Sequence, residues 1–281
     1  MKNGAEKANV TAPEADLSGW AVAPFTGGGY THDVYRKGAG PGVVLIPELP
    51  GIHPGVLGLG NHLVDNGFTV AMPSLFGEPG KPATTGYIAK SVAKACVTKE
   101  FAAFALNKAR PVSLFLRALA RDLNASTPGK GVGVIGQCFT GGFALAAAVD
   151  DSVLAPVLSQ PSVPFPLGLA RRRDPGLSES ELSTIADRCA NEGLCAMGLR
   201  FSEDWTAPGE RFTVLKERLG DAFEVIEIDS RPGNEHGFAK GAHSVLTLEV
   251  REVDGQPAYE ARKRVVEFLR RTLTQGPAQP A

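Results

Sequence analysis

Residues 131–149 confine the fold more tightly than any other stretch of the chain. Gly131-Val132-Gly133-Val134-Ile135-Gly136 is a short apolar run with β-branched residues, Gln137-Cys138-Phe139-Thr140 sets one reactive side chain on it, and Gly141-Gly142-Phe143-Ala144-Leu145 leads into an alanine-rich segment. This succession reads as strand, sharp turn, helix, with Cys138 at the turn. A nucleophile on such a bend needs small neighbours so that backbones can pass. The helix that follows offers free backbone N–H groups and a partial positive end, which favour a thiolate and a developing oxyanion. Phe139 N–H is then the first candidate oxyanion donor. The same pattern, taken alone, also fits a small buried cysteine without chemistry. Gly131, Gly133 and Gly136 spell G-x-G-x-x-G, but a dinucleotide site needs a strand before the first glycine, and residues 124–130 are loop material.

The remaining segments supply a mostly parallel sheet around that turn. Two short runs, 20–25 and 31–36, separated by Gly27-Gly28-Gly29, read as antiparallel strands at one edge. Residues 42–48 form a continuous apolar run of the kind buried on both faces of a parallel sheet, and it stops at Glu48, where α/β folds place chemistry. Val56, Leu59 and Leu63 give residues 54–66 helical spacing, closed by Gly67, and 68–72 is the next strand. Residues 74–95 read as a loop-rich border of a site, before a helical segment clearest at 111–123.

Beyond the elbow, 153–158 is a strand and 160–176 a proline-rich loop carrying Arg171-Arg172-Arg173, a run that reads as a solvated face, less often as an anion site. Ser178 and Glu181 have capping-box spacing and open a helix to about residue 191. A strand at 194–201, a helix at 209–219, a strand at 223–228 and a terminal helix at 258–273 complete the pattern. The expected organisation is a flexible tail over 1–17, a single α/β domain over 18–275 with helices on both faces of the sheet, and a short flexible tail over 276–281.

With 281 residues, 43% of them hydrophobic, the chain can bury a full core in one large α/β domain. A formal net charge of -1 without a basic block argues against nucleic acid or an anionic membrane as partner. A small neutral or modestly anionic ligand remains, with the chain as a monomer or small homo-oligomer. Neither a signal-like apolar stretch nor a run long enough to span a bilayer occurs, so the expected compartment is the cytoplasm. Cys96, Cys138, Cys189 and Cys195 lack C-x-x-C spacing, so reduced thiols are expected, with neither a zinc site nor a disulfide framework.

A thiol nucleophile needs a base within reach and a group that orients the base. Cys138 on an elbow, Asp204 after a later strand and His236 after the last strand follow the nucleophile, acid, histidine order of α/β-hydrolases. Glu203 is a substitute for the acid. Gly233 and Gly237 suit a tight loop around His236, while His243, seven residues later, competes for the same role.

From about residue 20 to residue 273 the chain resembles the dienelactone hydrolase family of α/β-hydrolases. Pro47-Glu48-Leu49-Pro50-Gly51 is similar to the family's strand-end motif, Gly136-Gln137-Cys138-Phe139-Thr140-Gly141-Gly142 to its cysteine elbow, Phe201-Ser202-Glu203-Asp204-Trp205-Thr206-Ala207-Pro208 to its acid loop, and His236-Gly237-Phe238-Ala239-Lys240 to its histidine loop. The resemblance implies an α/β-hydrolase fold and hydrolysis of a small lactone or ester through an acyl-thioester. It implies Cys138 as nucleophile, His236 as base and general acid, Asp204 orienting the imidazole and Glu48 helping to generate the thiolate when substrate arrives. Leu49 N–H would join Phe139 N–H in the oxyanion hole, and Lys240 would hold a substrate carboxylate. No metal or organic cofactor is expected, since side chains supply nucleophile, base and donors. Thr140 stands where the family usually has glycine, and a β-branched residue is expected to be harder to fit on the turn. The rival readings are a cysteine amidotransferase-like enzyme, which would want an H-x-E pair that the chain lacks, and a catalytically silent scaffold that binds a ligand or partner.

Overall fold

The computed structural model of the protein describes residues 11–101 and 108–274. Strands β1 (Ala21–Gly27) and β2 (Tyr30–Gly38) form the expected antiparallel edge, followed by β3 (Gly42–Ile46), helix α1 (Pro54–Asp65) and β4 (Thr69–Pro73). Helices α2 (Thr85–Val97) and α3 (Val112–Ser126) precede β5 (Val132–Gln137) and α4 (Gly141–Ala147). The second half adds β6 (Val153–Ser159), α5 (Leu169–Arg173), α6 (Glu179–Asn191), β7 (Ala196–Phe201), α7 (Gly209–Leu219), β8 (Phe223–Ile228) and α8 (Pro257–Thr274). Local chemistry sets several of these starts. His53 caps α1 by accepting the Gly55 N–H, and Ser178 with Glu181 forms the expected capping box of α6.

One eight-stranded sheet runs β1-β2-β4-β3-β5-β6-β7-β8, with β1/β2 and β2/β4 antiparallel and the other pairs parallel. Helices α1 and α8 contribute to the core on one face, and α3, α4, α6 and α7 to the core on the other. This is an α/β-hydrolase arrangement. The chain leaves β3 toward β4 and then returns across it to β5, so the winding direction reverses between β3 and β5. Open α/β sheets bind ligands at the carboxyl ends of the strands at such a switch point. Ile46 is in register with Gly136, which brings Glu48, two residues past Ile46, and Cys138, two past Gly136, to the same crevice.

Three expectations change. The stretch read as loop up to residue 95 contains α2, and the proline-rich loop contains the short helix α5. The described part of the supposed N-terminal tail is packed: Ala15 N–H donates to the Pro54 carbonyl at 3.0 Å, and Leu17 lies against the core. Gly58 of α1 permits this, because a Cβ there would sit 2.4 Å from the Pro13 carbonyl oxygen. The rest of that tail, residues 1–10, and the C-terminal tail lie outside the described residues.

Candidate active site

The elbow is built as the glycines suggest. Cys138 has φ 52°, a left-handed conformation that costs a non-glycine residue energy and is characteristic of a strained functional turn. A Cβ on Gly136 would lie 2.3 Å from the Thr140 carbonyl oxygen, and one on Gly141 2.6 Å from Pro161 Cα. Thr140, expected to be awkward, adopts a right-handed backbone (φ -96°, ψ -2°) that a β-branched residue accepts readily. Its hydroxyl accepts the Gln137 N–H at 2.9 Å and has the Gln137 carbonyl at 2.9 Å and the Ile46 and Pro47 carbonyls at 3.3 Å as acceptors. Thr140 therefore pins the turn to itself and to the end of β3.

Asp204, buried after β7, receives His243 Nδ1 on Oδ2 at 2.6 Å, while Thr206 donates to Oδ1 from its N–H at 3.0 Å and its hydroxyl at 2.7 Å. Glu203, the alternative acid, instead donates its N–H to Ser230 Oγ. With Nδ1 engaged, Nε2 is the ring nitrogen left for Cys138, which lines the same cavity. Burial works against a charged ring, but the Cys138 sulfur and the Asp204 carboxylate outweigh it and push the His243 pKa well above its ordinary value. Burial likewise opposes ionisation of Asp204, and the His243 and Thr206 contacts hold its carboxyl below the usual range.

Of the two histidines weighed on the sequence, the structure brings His243, and not His236, to Asp204 and to the cavity beside Cys138. His236 is exposed on the turn 233–237, whose Gly233 and Gly237 have φ 85° and 71°. Asn234 ties this turn to Phe238, and the Phe238 ring packs on Phe201 with centroids 4.9 Å apart. The glycines serve a surface turn, and the imidazole stays outside. Lys240 is also exposed and is not among the residues that line the cavity beside Cys138. The anion-holding role implied for it is not supported by this placement. Arg110 and Arg117 are engaged elsewhere, Arg110 with the Gly176 carbonyl and Arg117 with Glu181 and the Ala146 carbonyl.

Glu48 is 2% exposed and lies on the floor of the cavity. Its carboxylate accepts from Ser244 Oγ at 2.9 Å, His53 Nε2 at 3.3 Å, Gln160 Nε2 at 3.4 Å and the Thr247 hydroxyl. The tautomer of His53 follows, since its Nδ1 accepts the Gly55 N–H and leaves Nε2 to donate. Burial would raise the Glu48 pKa, but the His53 and Thr247 hydrogen bonds prevail and lower it. Its hydrogen-bond partners are these four donors, and the thiol is not among them. Glu48 anchors the 244–247 segment next to His243.

The sulfur opens onto a cavity of about 260 Å³ lined by Leu49, Ile88, Val92, Phe139, Phe165 and Leu248, together with the polar residues just described. Ser162 stands with its hydroxyl 3.9 Å from the sulfur and donates its N–H to the Cys138 carbonyl at 2.9 Å. The segment bearing Ser162 and Phe165 is held by Arg211, fully buried on α7, which donates to the carbonyls of Pro161, Pro164, Arg171 and Asp174. Burial pulls the Arg211 pKa down to about 10. The arginine run is a salt-bridged surface: Arg172 forks onto Glu210 and Arg173 reaches Glu217. Thr206 and Ser244 were not singled out in the sequence. The Asp-x-Thr spacing, an Asx-turn pattern, is the signal that could have found Thr206.

Fold and site together define an α/β-hydrolase with a cysteine at its elbow. The profile of the dienelactone hydrolase family matches residues 30–273, and the chain belongs to that family. Among solved structures it is similar to a dienelactone hydrolase-like promiscuous phosphotriesterase from metagenomic libraries (14% identity, 90% of this chain and 98% of the other, TM-score 0.61). It is also similar to a dienelactone hydrolase from Anabaena variabilis ATCC 29413 (13%, 90% and 98%, TM-score 0.57) and to a 2,6-dihydroxy-pseudo-oxynicotine hydrolase (14%, 89% and 68%, TM-score 0.53). Comparison with curated proteins gives no match. At these identities the likeness is one of fold. Among the described residues no helix is long and apolar enough to cross a membrane.

Proposed function

We propose that the protein hydrolyses a small carboxylic ester or lactone through a triad of Cys138, His243 and Asp204. The observation that carries the reading is the position of His243, hydrogen-bonded through Nδ1 to Asp204 and lining the same cavity as Cys138, whose sulfur helps to raise its pKa. In this mechanism the Cys138 thiolate adds to the carbonyl carbon, and the oxyanion accepts from Leu49 and Phe139 N–H. Phe139 lies in the first turn after the elbow, where backbone N–H groups have no partner within the helix. Collapse breaks the C–O bond, His243 gives its proton to the leaving alkoxide, and an acyl-thioester remains. His243 then takes a proton from water, which attacks the thioester and restores the thiolate and imidazolium.

Glu48 acts in this scheme as a positioning residue for the segment after His243. A thiolate nucleophile calls for a reducing compartment, so the cytoplasm is the proposed place of action. The test is turnover of p-nitrophenyl acetate with mass spectrometry of the quenched enzyme. An acetyl adduct on Cys138 and loss of turnover in Cys138→Ala are expected; equal rates for the two proteins would reject the cysteine as nucleophile.

A further inference from the structure

The cavity beside Cys138 presents apolar walls and, among the described residues, no lysine or arginine to a substrate. Leu49, Ile88, Val92, Phe139, Phe165 and Leu248 supply aliphatic and aromatic surface, and Trp205 lines the same cavity with 62% of its surface exposed. The charged groups that reach it are Glu48, Asp204 and His243, and each is committed to the partners described above. No lysine or arginine lines this cavity among the described residues. Lys90 and Lys94 of α2 line a separate cavity, while Ile88 and Val92 of the same helix line this one.

We propose that the acyl group accepted beside Cys138 is small, uncharged and apolar, and that acyl groups bearing a carboxylate are rejected. This rests on the triad reading above. A carboxylate in this cavity would lose its water without gaining a lysine or arginine, with His243 already engaged by Asp204, and would lie beside two buried carboxylates, both held ionised by their donors. An apolar acyl chain would instead exchange water for the side chains of both walls. The volume, about 260 Å³, is just under the usual span of ligand cavities, roughly 300–1,000 Å³, and favours short chains.

The experiment compares p-nitrophenyl butyrate with mono-p-nitrophenyl succinate, acyl groups of equal chain length that differ in a terminal carboxylate, with the Cys138→Ala rate subtracted as blank. The expected result is a kcat/KM at least ~100-fold higher for the butyrate, the size of discrimination that an unpaired buried charge imposes. Val92→Arg, or Ile88→Lys one turn earlier should the first variant fail to fold, supplies the missing cation and is expected to narrow that ratio by at least ~10-fold. Equal or faster turnover of the succinate ester by an enzyme that Cys138→Ala inactivates overturns the acyl preference and leaves the triad standing. Undiminished turnover by Cys138→Ala removes the triad, and the preference falls with it.

Discussion

Ser244, the residue after His243, donates its hydroxyl to Glu48 at 2.9 Å, so the carboxylate buried under the nucleophile is fastened to the segment that delivers the base. Four donors converge on Glu48, and all four belong to buried residues. Glu48→Ala is expected to lower stability by about 3 kcal/mol, since it leaves buried donors unpaired. Chemical denaturation measures this. The same variant should lower kcat more than it raises KM, because the segment that carries His243 loses its anchor while the apolar side chains of the cavity remain. Iodoacetamide alkylation of Cys138 supplies the contrast: a fully stable variant with slowed alkylation would return Glu48 to thiol activation.

Two histidines separate the sequence reading from the structural one. His243→Ala is expected to lose about 10³-fold or more in kcat/KM, the size of effect seen on removing a triad member. His236→Ala, exposed on its turn, is expected to stay within about twofold of wild type, as surface substitutions do. Steady-state hydrolysis of p-nitrophenyl acetate by both variants decides between them.

The pH dependence follows from the two shifted groups. His243 is pushed above its ordinary 6.5, and its protonated form is the acid for the leaving oxygen, so the alkaline fall in kcat/KM is expected well above that pH. Asp204→Asn should bring the fall down toward 6.5 while lowering the rate. For stability the signs are opposite. The raised His243 stabilises fully below 6.5 and loses its contribution as pH rises through its folded value. The lowered Asp204 stabilises above 3.8 and loses its contribution as pH falls through its folded value. The stability difference between wild type and Asp204→Asn is therefore expected to be largest between those limits, as measured by denaturation across pH.

Thr140 tests the elbow itself. Thr140→Val keeps the shape and removes the hydroxyl that accepts the Gln137 N–H, and it is expected to cost about 1–3 kcal/mol by leaving a buried group unpaired. Thr140→Gly should cost at least as much, since it also frees the chain in the unfolded state. Thermal unfolding reads both, and a variant as stable as wild type would show that the turn holds without this hydroxyl.

The parallel strands and the elbow were legible because their physics is local. A strand buried on both faces reads as an unbroken apolar run, as at Gly42–Ile46, and a backbone crowded against its own turn requires glycine, as at Gly136. Helix α2 was hidden because its apolar stripe is short, Ile88, Val92 and Ala95, and follows a segment rich in glycine and proline, and because Thr84 makes no side-chain cap. The confusion of His236 with His243 has a comparable cause. Glycine marks tight turns whether they face solvent or substrate, and two flanking glycines said nothing about which way the ring points. The usable difference lay downstream: Val245 and Leu246 after His243 are fully buried and draw their neighbour inward, whereas His236 sits among Glu235, Gly237, Ala239 and Lys240, all exposed.

Arg211 gathers four carbonyl oxygens of the 161–174 segment into one guanidinium, and that segment carries Ser162 and Phe165 to the substrate. Cys138 and Asp204, by contrast, follow closely on β5 and β7, and His243 lies in the segment between β8 and α8. What the enzyme chooses and how it cuts thus hang from separate girders. A lineage can refit the one by rebuilding a stretch of loop around a single cation, while the cutting edge stays as it was.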